Sequence, residues 1–232
     1  MSWWVHDAYQ NGGVIYLFSW IFWVIFSIVL HELAHGWAAI ACGDNTPREL
    51  GHITANPVVH MGWPSLIFFA VAGIAWGLMP TNPSRYRNER LGRVLVAAAG
   101  PMMNVVLAFL SLTGLAVWQW AVGTGRISPA EQTFTNTKIF LSVGGFLNLI
   151  LACFNMLPVP PLDGSQVLAG VSRRLAAFYQ RPEVQMYGLL VVLLIFFTTI
   201  DDPLQRGVRN ASGRYVDWAT ELLLRTSGGK GA

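Results

Sequence analysis

The sequence predicts an all-α integral membrane protein, from its composition, its few charges and the length of its apolar runs. Of its 232 residues, 53% are hydrophobic and 12% are charged, whereas ordinary soluble domains carry about 25% charged residues. Several runs approach or exceed the roughly 20 apolar residues that a spanning helix needs. No repeat, linker or long soluble stretch separates them, so we expect a single membrane-embedded domain over residues 1–232.

Four segments are predicted to cross the membrane. In chain order they are Val14–Ala41, Val94–Val122, Ile139–Leu157 and Val184–Ile200. The first three are expected to form a core within residues 14–168, and the fourth a further C-terminal helix over 184–200. The tail over 201–232 is polar except for Tyr215–Leu224, which we expect to lie along the membrane interface.

A fifth apolar segment, Pro64–Met79, is short and lies between two prolines, Pro64 and Pro80. Short loops rich in Lys and Arg stay in the cytoplasm, and arginines crowd 80–93 and 158–182, while residues 1–13 have no Lys or Arg. If the first span runs from outside to inside and 80–93 also lies inside, 64–79 cannot cross, and we predict a re-entrant or half-depth element. The arginines of the tail conflict with a single crossing by 184–200, so the side of the tail stays open.

The first span carries ionisable residues at membrane depth, in the motif His31-Glu32-Leu33-Ala34-His35. A charged group near a helix centre costs at least ~2.5–3.5 kcal/mol on insertion scales, which makes such residues a functional-site hypothesis. Histidines at i and i+4 share one helix face and can reach one metal ion. Glu32 is about 100° further round the helix, close enough to act as a general base without being a ligand. This spacing is typical of zinc hydrolases.

A third zinc ligand must come from elsewhere, because catalytic zinc usually takes three protein ligands and keeps one position open. The best candidate is Asp163, which follows three prolines within the four residues 158–161. These prolines end the helix, and irregular backbone at membrane depth is tolerated where protein or a polar cavity satisfies it. The alternative is that Asp163 caps a helix that begins at Gly164.

Three motifs together resemble the site-2 protease family, the intramembrane zinc metalloproteases that cut transmembrane substrates. They are His31-Glu32-Leu33-Ala34-His35 in one membrane helix, Gly100-Pro101 with Asn104 in the next, and Asn155…Pro158…Leu162-Asp163-Gly164 at the end of a third. The resemblance covers roughly residues 14–168. It implies that Asp163 is the third ligand of one Zn²⁺ and that Asn155 positions the substrate. It also implies transmembrane protein substrates, a bacterial cell membrane, and an active site near the cytoplasmic face.

The other polar residues can also be explained by structural roles that involve no catalysis. Asn155 could cap the carbonyls freed by Pro158, and Asn104 could form a hydrogen bond between helices. His52 and His60 fall in a loop-like stretch, where histidines are more often solvated or supporting residues than metal ligands. Cys42 and Cys153 are expected to pack as free thiols, since two cysteines make no disulfide framework.

Two other function classes compete with a protease. A catalytically silent metal-binding scaffold is disfavoured because Glu32 would have no role in it. A metal transporter is also disfavoured, because it needs metal ligands at successive depths along a path through the membrane. The net charge of +3 and the lack of a charge block give no reason to expect nucleic acid. The lipid bilayer is the expected surrounding, and the oligomeric state stays open.

Overall fold

The fold is built from α-helices, as predicted. A computed structural model describes residues 3–198 and 203–228, and no strand occurs among them. The helices of the described residues, in chain order, are α1 (Trp4–Cys42), α2 (Thr46–Glu49), α3 (Pro57–Ala72), α4 (Glu89–Gly123), α5 (Glu131–Asn155), α6 (Asp163–Val171), α7 (Arg173–Tyr179), α8 (Pro182–Thr198) and α9 (Pro203–Gly228). A short 3₁₀ turn occupies Pro83–Arg85.

Three helices in the described part of the chain are long and apolar enough to cross a membrane, and they correspond to the three predicted core spans. They are Gly12–Cys42, Glu89–Gly123 and Glu131–Asn155. The last begins before the predicted Ile139, because the polar residues 131–138 continue the helix beyond its apolar part. It ends before the predicted Leu157, because a residue that precedes a proline is driven away from the helical region.

The predicted fourth span, over 184–200, agrees less well with the structure than the first three. In α8 the apolar stretch Pro182–Leu194 is shorter than the three spans, and the predicted boundary at Ile200, Asp201 and Asp202 lies outside the described residues. A crossing by this helix therefore stays a prediction.

The chain divides into two compact units, and the first contains the described residues of 3–23, 106–150 and 203–228. Its core joins α4 to α9 through Leu112, Leu115, Ala116, Val216 and Ala219. Here the structure differs from the expected polar tail with one apolar stretch, because a helix runs from Pro203 to Gly228. The helix forms because buried residues recur at helical spacing among the charges: Val208, Ser212, Val216 and Ala219.

The second unit contains residues 24–105 and the described part of 151–201. In it, α3 is followed by a chain that doubles back. Gly73 has a φ of 75° and ends α3 in the left-handed conformation, which glycine adopts without steric cost. Leu78 then donates its N–H to the carbonyl of His60 at 2.8 Å. The return supports a segment that enters and leaves on one side, but its depth in a bilayer stays a prediction.

The buried carboxylate of Asp44 holds the end of the chain that returns from α3. Asp44, which follows α1, is fully buried and accepts hydrogen bonds from the backbone N–H and the hydroxyl of Thr46 and from the N–H of Asn82. Burial alone would raise the pKa of Asp44, but these bonds outweigh burial and hold the pKa below its usual value. Asp44 thus stays charged and ties the end of α1 to the chain beyond α3.

Candidate metal centre

Two imidazoles stand one turn apart on α1. His31 and His35 are 8% and 7% exposed, and their Nε2 atoms lie 3.0 Å from one another. The i, i+4 spacing on a regular helix produces this pairing, as the sequence predicts.

The other nitrogen of each ring bonds to an oxygen on α4. His31 Nδ1 lies 2.6 Å from Oδ1 of Asn104, and His35 Nδ1 lies 2.7 Å from the carbonyl oxygen of Val96. Since both partners are acceptors, each Nδ1 carries the hydrogen and donates it. In a neutral imidazole the Nε2 atom then holds a lone pair. Such outer bonds are the ones that orient metal-ligating histidines.

Asp163 completes the group. Its Oδ2 lies 3.1 Å from His31 Nε2, and its Oδ1 lies 3.4 Å from His35 Nε2. The capping alternative is wrong, because the N-cap of α6 is Leu162 and no side chain caps that helix. The turn into α6 depends on Gly164, where an added Cβ would overlap the carbonyl oxygen of Met156, the residue that follows α5. Glycine therefore lets α6, which begins at Asp163, start close against the residues that follow α5.

These three residues fit a zinc ion by their chemistry. Two nitrogen lone pairs and a carboxylate converge within 4.8 Å, and Oδ2 of Asp163 is buried without a hydrogen-bond partner among the described residues. Such a cluster repels itself unless a cation joins it. Ligand atoms bound about 2.0–2.2 Å from a tetrahedral zinc lie roughly 3.3–3.6 Å apart, close to the separations of 3.0, 3.1 and 3.4 Å found here.

Gly100 is a site residue that the sequence marked only as part of a motif. A Cβ added at Gly100 would overlap Nε2 of both His31 and His35. Val96 and Asn104 accept the hydrogen bonds of the two imidazoles. Gly100 lies midway between them, so the three residues recur every four positions along one face of α4. That spacing could have linked Gly100 to Asn104 before the structure was known.

Glu32 lies beside the metal group but is not one of its three members. Its side chain points toward Gly77, where an added Cβ would overlap Oε1 of the glutamate. The residue is 7% exposed. A carboxylate next to the three clustered residues and outside their set fits a base rather than a ligand.

The remaining polar candidates do not join the cluster of His31, His35 and Asp163. Asn155 donates from Nδ2 to the carbonyl of Leu151 within its own helix at 3.0 Å. His60 is buried rather than solvated, and its ring bonds the carbonyl of Thr54 at 2.6 Å. His52 bonds the carbonyl of Leu50. Cys42 and Cys153 are both free thiols, as expected.

Comparison with known proteins agrees with this geometry. Residues 19–199 match the family model of Peptidase family M50. The chain is 34% identical over 201 residues to "Putative zinc metalloprotease YwhC" of Bacillus subtilis, covering 84% of this chain and 82% of that protein. It is 28% identical over 204 residues to "Putative zinc metalloprotease Rip2" of Mycolicibacterium smegmatis, covering 82% and 70%. No solved structure matches the chain.

The matched region contains all the residues of the metal centre, and the relatives above carry the name of zinc metalloproteases. The scaffold and transporter alternatives are not favoured by these findings. This chain therefore belongs to peptidase family M50, the site-2 protease family, and is an intramembrane zinc metalloprotease.

Proposed function

We propose that His31, His35 and Asp163 hold one catalytic Zn²⁺ and that Glu32 is the general base. The convergence of two histidine lone pairs on the Asp163 carboxylate, with Glu32 beside them, is the observation that carries this proposal. Glu32 also argues for catalysis over storage, since a silent metal site would have no need of it.

In this mechanism the zinc would lower the pKa of water to about 7 and polarise the scissile carbonyl. Glu32 accepts a proton from the attacking water as the water oxygen bonds to the carbonyl carbon. Glu32 then returns that proton to the leaving nitrogen as the C–N bond breaks. Asn104 and the carbonyl of Val96 keep both imidazoles turned toward the ion throughout.

The proposed substrates are transmembrane proteins whose helices unwind near the active site. In an intact helix each carbonyl is hydrogen-bonded to the N–H four residues on, so the chain must first become extended. An amide NH₂ carries two hydrogens, and Asn155 uses one on Leu151. The second hydrogen is available to bond a carbonyl of the unwound substrate, which is the positioning role we assign to Asn155.

We also propose that the active site lies near the cytoplasmic face of a bacterial cell membrane. The arginines of 80–93 and 158–182 support this orientation, because short loops rich in Arg stay in the cytoplasm.

A comparison of wild type with Glu32→Gln tests the proposed function. Both proteins would be purified and given two reporter transmembrane segments, one with a Gly-Pro cluster near its cytoplasmic end and one of leucine alone. In a helix interior Gly costs about 1 and Pro about 3 kcal/mol relative to Ala, so wild type should cut the first reporter faster. Glu32→Gln should cut neither and should still hold one zinc per chain.

Zinc loss from a folded Glu32→Gln protein would contradict its role as a base. Equal cleavage of both reporters by wild type would contradict selection by helix unwinding.

A further inference from the structure

Ser65 on α3 holds the chain that returns beyond α3. Its hydroxyl bonds both the N–H and the carbonyl of Trp76. The Ser65 hydroxyl donates to the carbonyl of Trp76 at 2.7 Å and accepts from the N–H of the same residue at 2.9 Å. Ser65 is fully buried. A serine within a helix commonly bonds a carbonyl one turn back in its own helix, but here the hydroxyl is used on another segment.

The next residue of that segment lies against Glu32. Gly77 stands between Trp76, held by Ser65, and Leu78, held by the carbonyl of His60. A Cβ at Gly77 would overlap Oε1 of Glu32 and would lie 2.7 Å from its carboxylate carbon. The backbone of Gly77 therefore forms one wall of the space that the carboxylate occupies.

We propose that Ser65 is a positioning residue, whose hydroxyl holds Gly77 against Glu32 and so fixes the orientation of the carboxylate. This inference rests on the proposed role of Glu32 as the base. Buried backbone groups need hydrogen-bond partners, and the Ser65 hydroxyl satisfies both groups of Trp76 at once. Without it, the segment that bears Gly77 keeps the bond from Leu78 to His60 but is no longer held at Trp76, so the backbone of Gly77 can move away from the carboxylate.

A general base must stay within hydrogen-bond reach of the proton that it takes, and a misplacement of 1 Å can cost on the order of 100-fold in rate. Ser65→Ala should therefore lower kcat by roughly 10- to 100-fold. KM and zinc affinity should stay unchanged, because both bonds of the Ser65 hydroxyl go to Trp76 and not to the proposed ligands or to Asn155. A purely structural role would instead lower the melting temperature or the zinc affinity together with the activity.

Matched controls are available in the same chain. Ser19 is also fully buried, but its hydroxyl bonds only the carbonyl of Ile15 in its own helix, so Ser19→Ala should keep full activity. Gly77→Ala should lower kcat as Ser65→Ala does, since its methyl displaces Glu32. Gly207 has no atom within 4 Å of an added Cβ, and Gly207→Ala should be silent. Each variant would be assayed on the Gly-Pro reporter, with zinc affinity measured by chelator competition.

A cross-link tests the contact without any need for catalysis. In a background with Cys42 and Cys153 changed to serine, Glu32→Cys and Gly77→Cys together should form a disulfide on mild oxidation. The sulfur at 32 would take the position of Glu32 Cγ, within reach of a side chain at 77. Adding Ser65→Ala should slow the cross-link several-fold, whereas adding Ser19→Ala should not.

Failure of the 32–77 pair to cross-link, or unchanged cross-linking and unchanged kcat after Ser65→Ala, would overturn the inference. Activity that survives Glu32→Gln would count against the proposed function instead. In that case the cross-link alone would decide whether Ser65 holds Gly77 against residue 32.

Discussion

His31 on α1 donates its Nδ1 hydrogen to the side-chain oxygen of Asn104 on α4 across 2.6 Å. This bond leaves the Nε2 lone pair of His31 facing the Asp163 carboxylate at 3.1 Å. From the sequence, Asn104 could have formed a purely structural bond between helices. Its bond to His31 instead sets the tautomer of this proposed ligand.

Asn104→Ala should weaken zinc binding by about 10- to 100-fold, the usual cost of removing a partner that orients a metal-ligating histidine. Competition with a chelator of known affinity measures the change. Asn136, which bonds Gln132 on the surface of α5, supplies a control, and Asn136→Ala should leave zinc affinity unchanged. Equal zinc affinity in wild type and Asn104→Ala would show that the bond does not orient His31 for a metal.

Asp163→Ala should release zinc and abolish cleavage, because it removes one of the three proposed ligands. The metal-free variant should melt no lower than the metal-free wild type, since no capping bond is lost and a buried carboxylate without a hydrogen-bond partner on Oδ2 is removed. Calorimetry with and without chelator makes that comparison, and the exposed Asp217→Ala on α9 is the control. Stoichiometric zinc retained by Asp163→Ala would remove Asp163 from the ligand set.

Gly100→Ala should weaken zinc binding strongly while the protein stays folded. The added methyl would push α4 away from both Nε2 atoms, although Ala is favoured over Gly in a helix by about 1 kcal/mol. On the same helix, an added Cβ at Gly114 meets only Leu141, at 3.8 Å, so Gly114→Ala should keep its zinc. Zinc content per chain distinguishes the two variants, and normal loading of Gly100→Ala would contradict the close approach.

The chain that enters and leaves α3 should have both ends on the cytoplasmic side. Gly62 has a φ of 67°, which strains any side chain placed there, so the exposed Ala55 is the better site for a reporter cysteine. In a background without Cys42 and Cys153, Ala55→Cys and Thr81→Cys should both react with a reagent confined to the cytoplasmic side. Tyr9→Cys should react only from the other side. Reaction of residues 55 and 81 from opposite faces would mean that the segment crosses.

The three core spans and the pairing of the two histidines were predictable, because long apolar runs and the i, i+4 spacing are local patterns. The place of Asp163 beside the histidines was foreseen from the prolines before it and from the family resemblance. Gly77 and Ser65 were not predictable, because their roles depend on which segment folds against which. By contrast, the periodic Val208, Ser212, Val216 and Ala219 did carry a local signal for α9. The charged residues Arg209, Arg214 and Asp217 between them gave that segment its polar character.

The most direct test of the metal centre is X-ray absorption at the zinc edge of the purified protein. We predict one zinc per chain with two imidazole nitrogens and a carboxylate oxygen at about 2.0–2.2 Å. In Asp163→Ala any residual zinc should lose the carboxylate. Sulfur at about 2.3 Å in the first shell, which only a ligand such as Cys42, Cys153 or a methionine could provide, would contradict the assignment of His31, His35 and Asp163.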